Sequence, residues 1–107
     1  MGRNSFGLLD SELAEISRII STRASVEAAC IFGSRAKGNF RPGSDVDIAL
    51  RGESVRHADV LAIGYALNEE GCLPYQFDIL DYNTIDNDCL REHIDRVGKI
   101  IFKTPDG

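Results

Sequence analysis

The stretch that decides the fold is Ala29-Cys30-Ile31-Phe32-Gly33-Ser34-Arg35-Ala36-Lys37-Gly38, followed after Asn39-Phe40-Arg41-Pro42-Gly43-Ser44 by Asp45-Val46-Asp47-Ile48-Ala49-Leu50. Residues 26–32 are nearly all apolar and end at Gly33, the pattern of a strand buried on both faces. Ser34-Arg-Ala-Lys can make a first helical turn, broken by Gly38 and by Pro42-Gly43. Residues 45–50 then alternate, with Asp45 and Asp47 on one face and Val46, Ile48 and Leu50 on the other.

The rest of the chain extends this pattern. Residues 10–22 carry Leu13, Ile16, Ile19 and Ile20 at helical spacing, with Asp10 or Ser11 as cap. Ser54 can cap a helix over 55–70, with Val55, Ala58, Leu61, Ala62, Tyr65 and Ala66 inward and Gly71 past its end. Residues 75–82 alternate, placing Tyr75, Phe77 and Ile79 opposite Gln76, Asp78 and Leu80. A helix over 86–97 stops at Gly98, and residues 99–102 make a short last strand. The order αβ(α)βαβαβ predicts an α/β fold, a small mixed sheet with flanking helices. With 107 residues, no repeat and no linker, residues 1–107 read as a single domain.

Composition excludes several classes. No run of 18 apolar residues exists, so no membrane span is expected, and the N-terminus lacks a secretory layout. Cys30, Cys72 and Cys89 are odd in number and widely spaced, which fits small buried hydrophobes in a reducing, cytoplasmic setting rather than disulfides or a thiolate zinc site. The net charge of −5 argues against direct nucleic-acid binding. Residues 1–57 nevertheless hold eight Lys/Arg against seven Asp/Glu, whereas residues 58–107 hold four against ten. Arg35, Lys37 and Arg41 fall in a segment without acids, which suits a local anion.

The acids carry the chemistry. Two residues apart on a strand, Asp45 and Asp47 project from one face about 7 Å apart, a repulsion that a cation would offset. Were the strand over 75–82 its neighbour, Asp78 would complete an all-oxygen site suited to Mg²⁺ or Mn²⁺. Gly33-Ser34, at a strand-to-helix turn, offers a hydroxyl and free N–H groups to an anion. Neither a Walker A loop nor a Gly-x-Gly-x-x-Gly turn is present. Asp-x-Asp alone is usually a solvated strand face and Gly-Ser alone an ordinary turn; their combination is specific. His57 and His93 read as structural or exposed, and Tyr65, Tyr75 and Tyr82 as core packing. Ser44 reads as a turn cap, and Asp81, Asp86 and Asp88 as solvated residues or helix caps.

Gly33-Ser34-x10-Asp45-x-Asp47, with Asp78 in Tyr-Gln-Phe-Asp-Ile-Leu, resembles the minimal nucleotidyltransferase (MNT) family of the DNA polymerase β-like superfamily over about residues 10–102. The resemblance extends to MNT-type antitoxins paired with HEPN-domain toxins. It implies a polymerase β-like nucleotidyltransferase core whose catalytic and metal-binding residues are Asp45, Asp47 and Asp78, with two Mg²⁺ ions. It implies nucleotide binding by Gly33, Ser34, Arg35 and Arg41, with Lys37 either helping or merely solvated. ATP would be the substrate, and AMP would pass to a hydroxyl, a tyrosine of a HEPN toxin held in an oligomeric complex. Two other functions stay open: an antitoxin that acts by occlusion with a vestigial site, and the catalytic half of a two-protein small-molecule nucleotidyltransferase.

Overall fold

The computed structural model describes residues 6–41, 43–70 and 73–105. Four strands, β1 (Ala28–Phe32), β2 (Val46–Arg51), β3 (Phe77–Asp81) and β4 (Lys99–Lys103), form one sheet in the order β3-β2-β1-β4. β1 pairs antiparallel with both β2 and β4, while β2 and β3 run parallel, so the sheet is mixed. The helices are α1 (Asp10–Ser21), α2 (Gly33–Lys37), α3 (His57–Tyr65) and α4 (Asp88–Val97). α3 continues as a π-helical turn, Ala66–Glu70, and makes the crossover that the parallel β2–β3 pair requires. Pro42, Gly71 and Cys72, which enter the sequence reading as breaker, helix stop and buried thiol, lie outside the described residues.

Strand alternation sorts the side chains into two layers. Ala29 and Ile31, Val46, Ile48 and Leu50, and Phe77 and Ile79 face one side, where they meet Ile16, Ile19 and Ile20 of α1 and Ile63 and Leu67 of the α3 segment. Each fully buried Ile or Leu there contributes about 1.5–3 kcal/mol by leaving water. Cys30, Phe32 and Ala49 face the other side and pack with Ile94 of α4. Asp47 and Asp78 share the parity of this second, smaller layer.

Two local expectations change. α1 is capped at Leu9, whose N–H donates to Glu12 Oε1 at 2.8 Å, rather than at Asp10 or Ser11. α3 is capped at Arg56, not Ser54, and its inward face is Val55, Asp59, Ile63 and Leu67. Leu61 and Tyr65, expected inside, are 58% and 60% exposed. Residues 60–63 are all apolar, so periodicity leaves the rotation of this helix open. Asp59 sets it: buried, it accepts from Ser25 Oγ (2.6 Å), Arg23 Nε (2.8 Å) and the Arg56 N–H (2.9 Å). Cys89 is exposed on α4, so of the two described thiols only Cys30 is the small core residue expected.

Candidate active site

The register of the sheet builds the site. Asp47 lies opposite Phe32 of β1 on one side and opposite Asp78 of β3 on the other. Asp45 immediately precedes β2. Asp47 and Asp78 are thus side-by-side partners on neighbouring parallel strands. Both are turned towards the α4 side of the sheet, and Asp45 flanks them. Among the described residues none of these three carboxylates has a hydrogen bond or an ion pair. Asp45 and Asp78 are exposed and Asp47 is half-buried. Burial, then the charge of Asp78, then that of Asp45, push the Asp47 carboxyl above its ordinary value.

β1 ends at Phe32 and the chain turns at once into α2 at Gly33, whose φ is +74°. A side chain here would be strained by that φ, and a Cβ would also run into Asp47 Oδ2. Glycine therefore lets the cradle backbone close on the carboxylate. The Gly33 N–H donates to His93 Nε2 at 3.2 Å, from a side chain on α4. Ser34 follows, half-buried; its carbonyl accepts from Gly38 and Asn39 N–H, closing the short helix, while its hydroxyl has no partner among the described residues. The left-handed Gly38 (φ +84°) then turns the chain into the loop that leads back to Asp45.

The cations divide. Arg35, 2% exposed, donates from Nε (3.1 Å) and Nη2 (2.9 Å) to Ser44 O, and from Nη1 to Phe6 O (2.8 Å). Its guanidinium lies 5.0 Å from the Phe40 ring centroid and 4.9 Å from that of Tyr75. The side chain is a clasp that ties the loop before Asp45 to the N-terminal segment and to the approach to β3. It is not a free cation beside the acids. It is gathered instead at a cavity of about 400 Å³ with Arg41, Phe40 and Tyr75. Arg41 and Lys37 are exposed. The turn between them and Asp45 is closed by Ser44, whose Oγ accepts the Arg41 N–H at 2.8 Å, the capping role expected of it.

The structure therefore brings together Gly33, Ser34, Asp47 and Asp78, with Asp45 at the edge. Periodicity did not point to His93, because its link to Gly33 spans 60 residues of sequence. Tyr75 packs against the core as expected, and Tyr82 lies between Arg51 and Arg91 (3.8 and 4.6 Å). Asp81 is buried and caps the turn after β3 by accepting the Asn83 N–H at 3.0 Å.

Among the described residues no three Asp, Glu, His or Cys side chains close round one point as a preformed metal cage. The donor set is instead an open, oxygen-only group of unpaired carboxylates. That suits Mg²⁺, which keeps waters and takes phosphate oxygens as ligands instead of demanding an all-protein cage.

The family model for polymerase β nucleotidyltransferases matches residues 14–106. The chain belongs to this family. Similar solved structures include toxin–antitoxin complexes. A chain of one solved with AMP-PNP superposes at a TM-score of 0.69 with 19% identity, covering 92% of this chain and 77% of that one. A chain of a mutant MntA–HpeT complex gives 0.68 at 19%, covering 92% and 76%. A chain of the complex of a tri-AMPylated Shewanella oneidensis HEPN toxin with its MNT antitoxin gives 0.61 at 16%, covering 90% and 71%. No match was found among curated proteins by sequence. As a nucleotidyltransferase the chain has the fold of these MNT antitoxins. Among its described residues, no helix is long and apolar enough to cross a membrane.

Proposed function

We propose that residues 1–107 form one minimal nucleotidyltransferase domain that moves AMP from ATP to a tyrosine of a HEPN-domain toxin, silencing it in the cytoplasm. The observation that carries this reading is the set of unpartnered carboxylates, Asp47 beside Asp78 with Asp45 at the edge, set against a glycine cradle. The solved neighbours with AMP-PNP and with a tri-AMPylated HEPN toxin support the choice of ATP as substrate and of a HEPN toxin as partner.

In this proposal Ser34 and the backbone of the Gly33 turn receive the triphosphate, and Arg41 reaches it from the loop. Lys37 either assists or stays solvated. Arg35 serves the nucleotide from behind, holding Ser44 and so the loop that carries Asp45. Asp45, Asp47 and Asp78 would hold two Mg²⁺ ions, which when bound offset the carboxylate and phosphate charge and stabilise the attacking and leaving oxygens. The tyrosine oxygen bonds to the α-phosphorus, the bond from the α-phosphorus to the bridging oxygen breaks, and pyrophosphate leaves. The tyrosine proton passes to Asp78.

The test is intact-mass spectrometry of the partner toxin incubated with this protein, ATP and Mg²⁺. One or more added AMP units are expected. With Asp45→Asn and Asp47→Asn together, transfer should fall by at least about a thousandfold while the fold is kept, since the charges that anchor the metal are gone. A double mutant that still transfers would refute the carboxylate assignment. Toxin silenced in a stable complex with no mass change would favour occlusion instead, with the exposed Leu61 and Tyr65 offering contact area. A modified small molecule would favour the two-protein enzyme.

A further inference from the structure

The hydrogen bond from Gly33 to His93 joins α4 to the turn on which the proposed phosphate cradle depends. Gly33 is the first residue of α2, so its N–H has no acceptor within the helix. His93 Nε2 takes it at 3.2 Å, while the imidazole stands edge-on to Phe32 at 6.3 Å and 80°. In this geometry Nε2 turns its lone pair to the Gly33 N–H. The same glycine lies against the Asp47 carboxylate, and Ser34 is its neighbour in sequence. One imidazole therefore fixes the peptide from which both Ser34 and the approach to Asp47 are set.

We infer that His93 is a positioning residue for the nucleotide: by holding the Gly33 amide it fixes the orientation of the Gly33-Ser34 turn towards the carboxylates. It touches neither substrate nor reacting atoms, and so acts through the turn. With the Gly33 N–H engaged by His93, the Ser34 hydroxyl and the N–H groups that follow Gly33 in the first turn of α2 are left open to a phosphate. The inference rests on the reading of that turn as the triphosphate cradle. It adds that α4, otherwise a packing element, helps to set nucleotide affinity.

The experiment compares His93→Leu, which keeps bulk against Phe32 but cannot accept, with His93→Gln, whose side-chain oxygen can. Titration with AMP-PNP and Mg²⁺ should show affinity about five- to tenfold weaker for the Leu variant, the size of one lost hydrogen bond. The Gln variant should return to within about twofold of the parent. In transfer assays the Leu variant should raise KM for ATP far more than it lowers kcat. Amide exchange at Gly33 should be faster in the Leu variant and restored by Gln. Equal AMP-PNP affinity in the Leu variant and the parent would overturn the inference. So would equal weakening in both variants, because the ring's packing would then be what matters. If the parent transfers no AMP to any partner, the transfer reading fails, yet AMP-PNP affinity and Gly33 exchange still decide the role of His93. A parent with no AMP-PNP affinity would overturn both.

Discussion

Asp59 and Asp47 are both withdrawn from bulk water, and they lie on opposite sides of the same sheet. Asp59, on the α1–α3 side, has every reason to be ionised. The Ser25 hydroxyl, then the Arg56 N–H, then the Arg23 guanidinium hold its carboxyl down to about 2. Asp47, on the α4 side, has burial and two acidic neighbours and no donor among the described residues, and its carboxyl is pushed up. The first carboxylate is satisfied by the protein and orients a helix. The second has no donor among the described residues, as the proposed metal site requires. That contrast separates structural from functional charge more sharply than burial does, and each side of it can be attacked.

Removing Asp59 should have the largest effect on stability. Asp59→Ala takes the shared acceptor from Ser25 Oγ, Arg23 Nε and the Arg56 N–H, a loss of three hydrogen bonds that costs about 2–3 kcal/mol. For a chain of this size that lowers Tm by about 10–20 °C. Because the folded carboxyl sits below its unfolded value, its stabilisation is complete above about pH 4 and fades as pH falls towards 2. Thermal melts of parent and variant should therefore converge on acidification through that window. Melts that stay parallel down to pH 2 would break the contrast.

A smaller effect, which sharpens the contrast for the cations, is expected of Arg35→Met. It leaves Ser44 O and Phe6 O without their donor and should cost about 1–2 kcal/mol, read as a lower denaturant midpoint. AMP-PNP affinity should fall by less than about fivefold, since the clasp acts only through the loop. A loss beyond about a hundredfold with little change in stability would return Arg35 to direct phosphate binding.

The smallest effect has the opposite sign. A carboxyl whose folded value is raised contributes stability only at low pH, and loses it as pH rises through the unfolded and then the folded value. At neutral pH Asp47 is thus a cost, and Asp47→Asn should raise Tm by about 2–4 °C while abolishing nucleotide binding. A lower Tm would mean that Asp47 is a structural residue after all.

Much of this contrast was legible in the sequence, and the exceptions have physical causes. Period-two alternation in 45–50 and 75–82 put Asp45, Asp47 and Asp78 opposite the apolar core residues, and the sheet register places Asp47 beside Asp78 as the strand-neighbour condition required. The Gly33 turn is legible through its combination with Asp45-x-Asp47, since Gly-Ser alone reads as an ordinary turn. The rotation of α3 did not, because residues 60–63 are uniformly apolar and a buried acid, held by partners more than thirty residues away, decides it. Arg35 reads as a nucleotide ligand in the sequence, and its contact with Tyr75 is one that only the tertiary fold brings about. His93 reads as structural or exposed, and its hydrogen bond with Gly33 leaves no trace in periodicity because the two are sixty residues apart.

The most direct test of the central claim is calorimetric titration of the protein with AMP-PNP, with and without Mg²⁺, repeated on Asp47→Asn. Binding by the parent should depend on Mg²⁺ and be lost in the variant. Binding of equal strength without the metal, or in the variant, would contradict the claim.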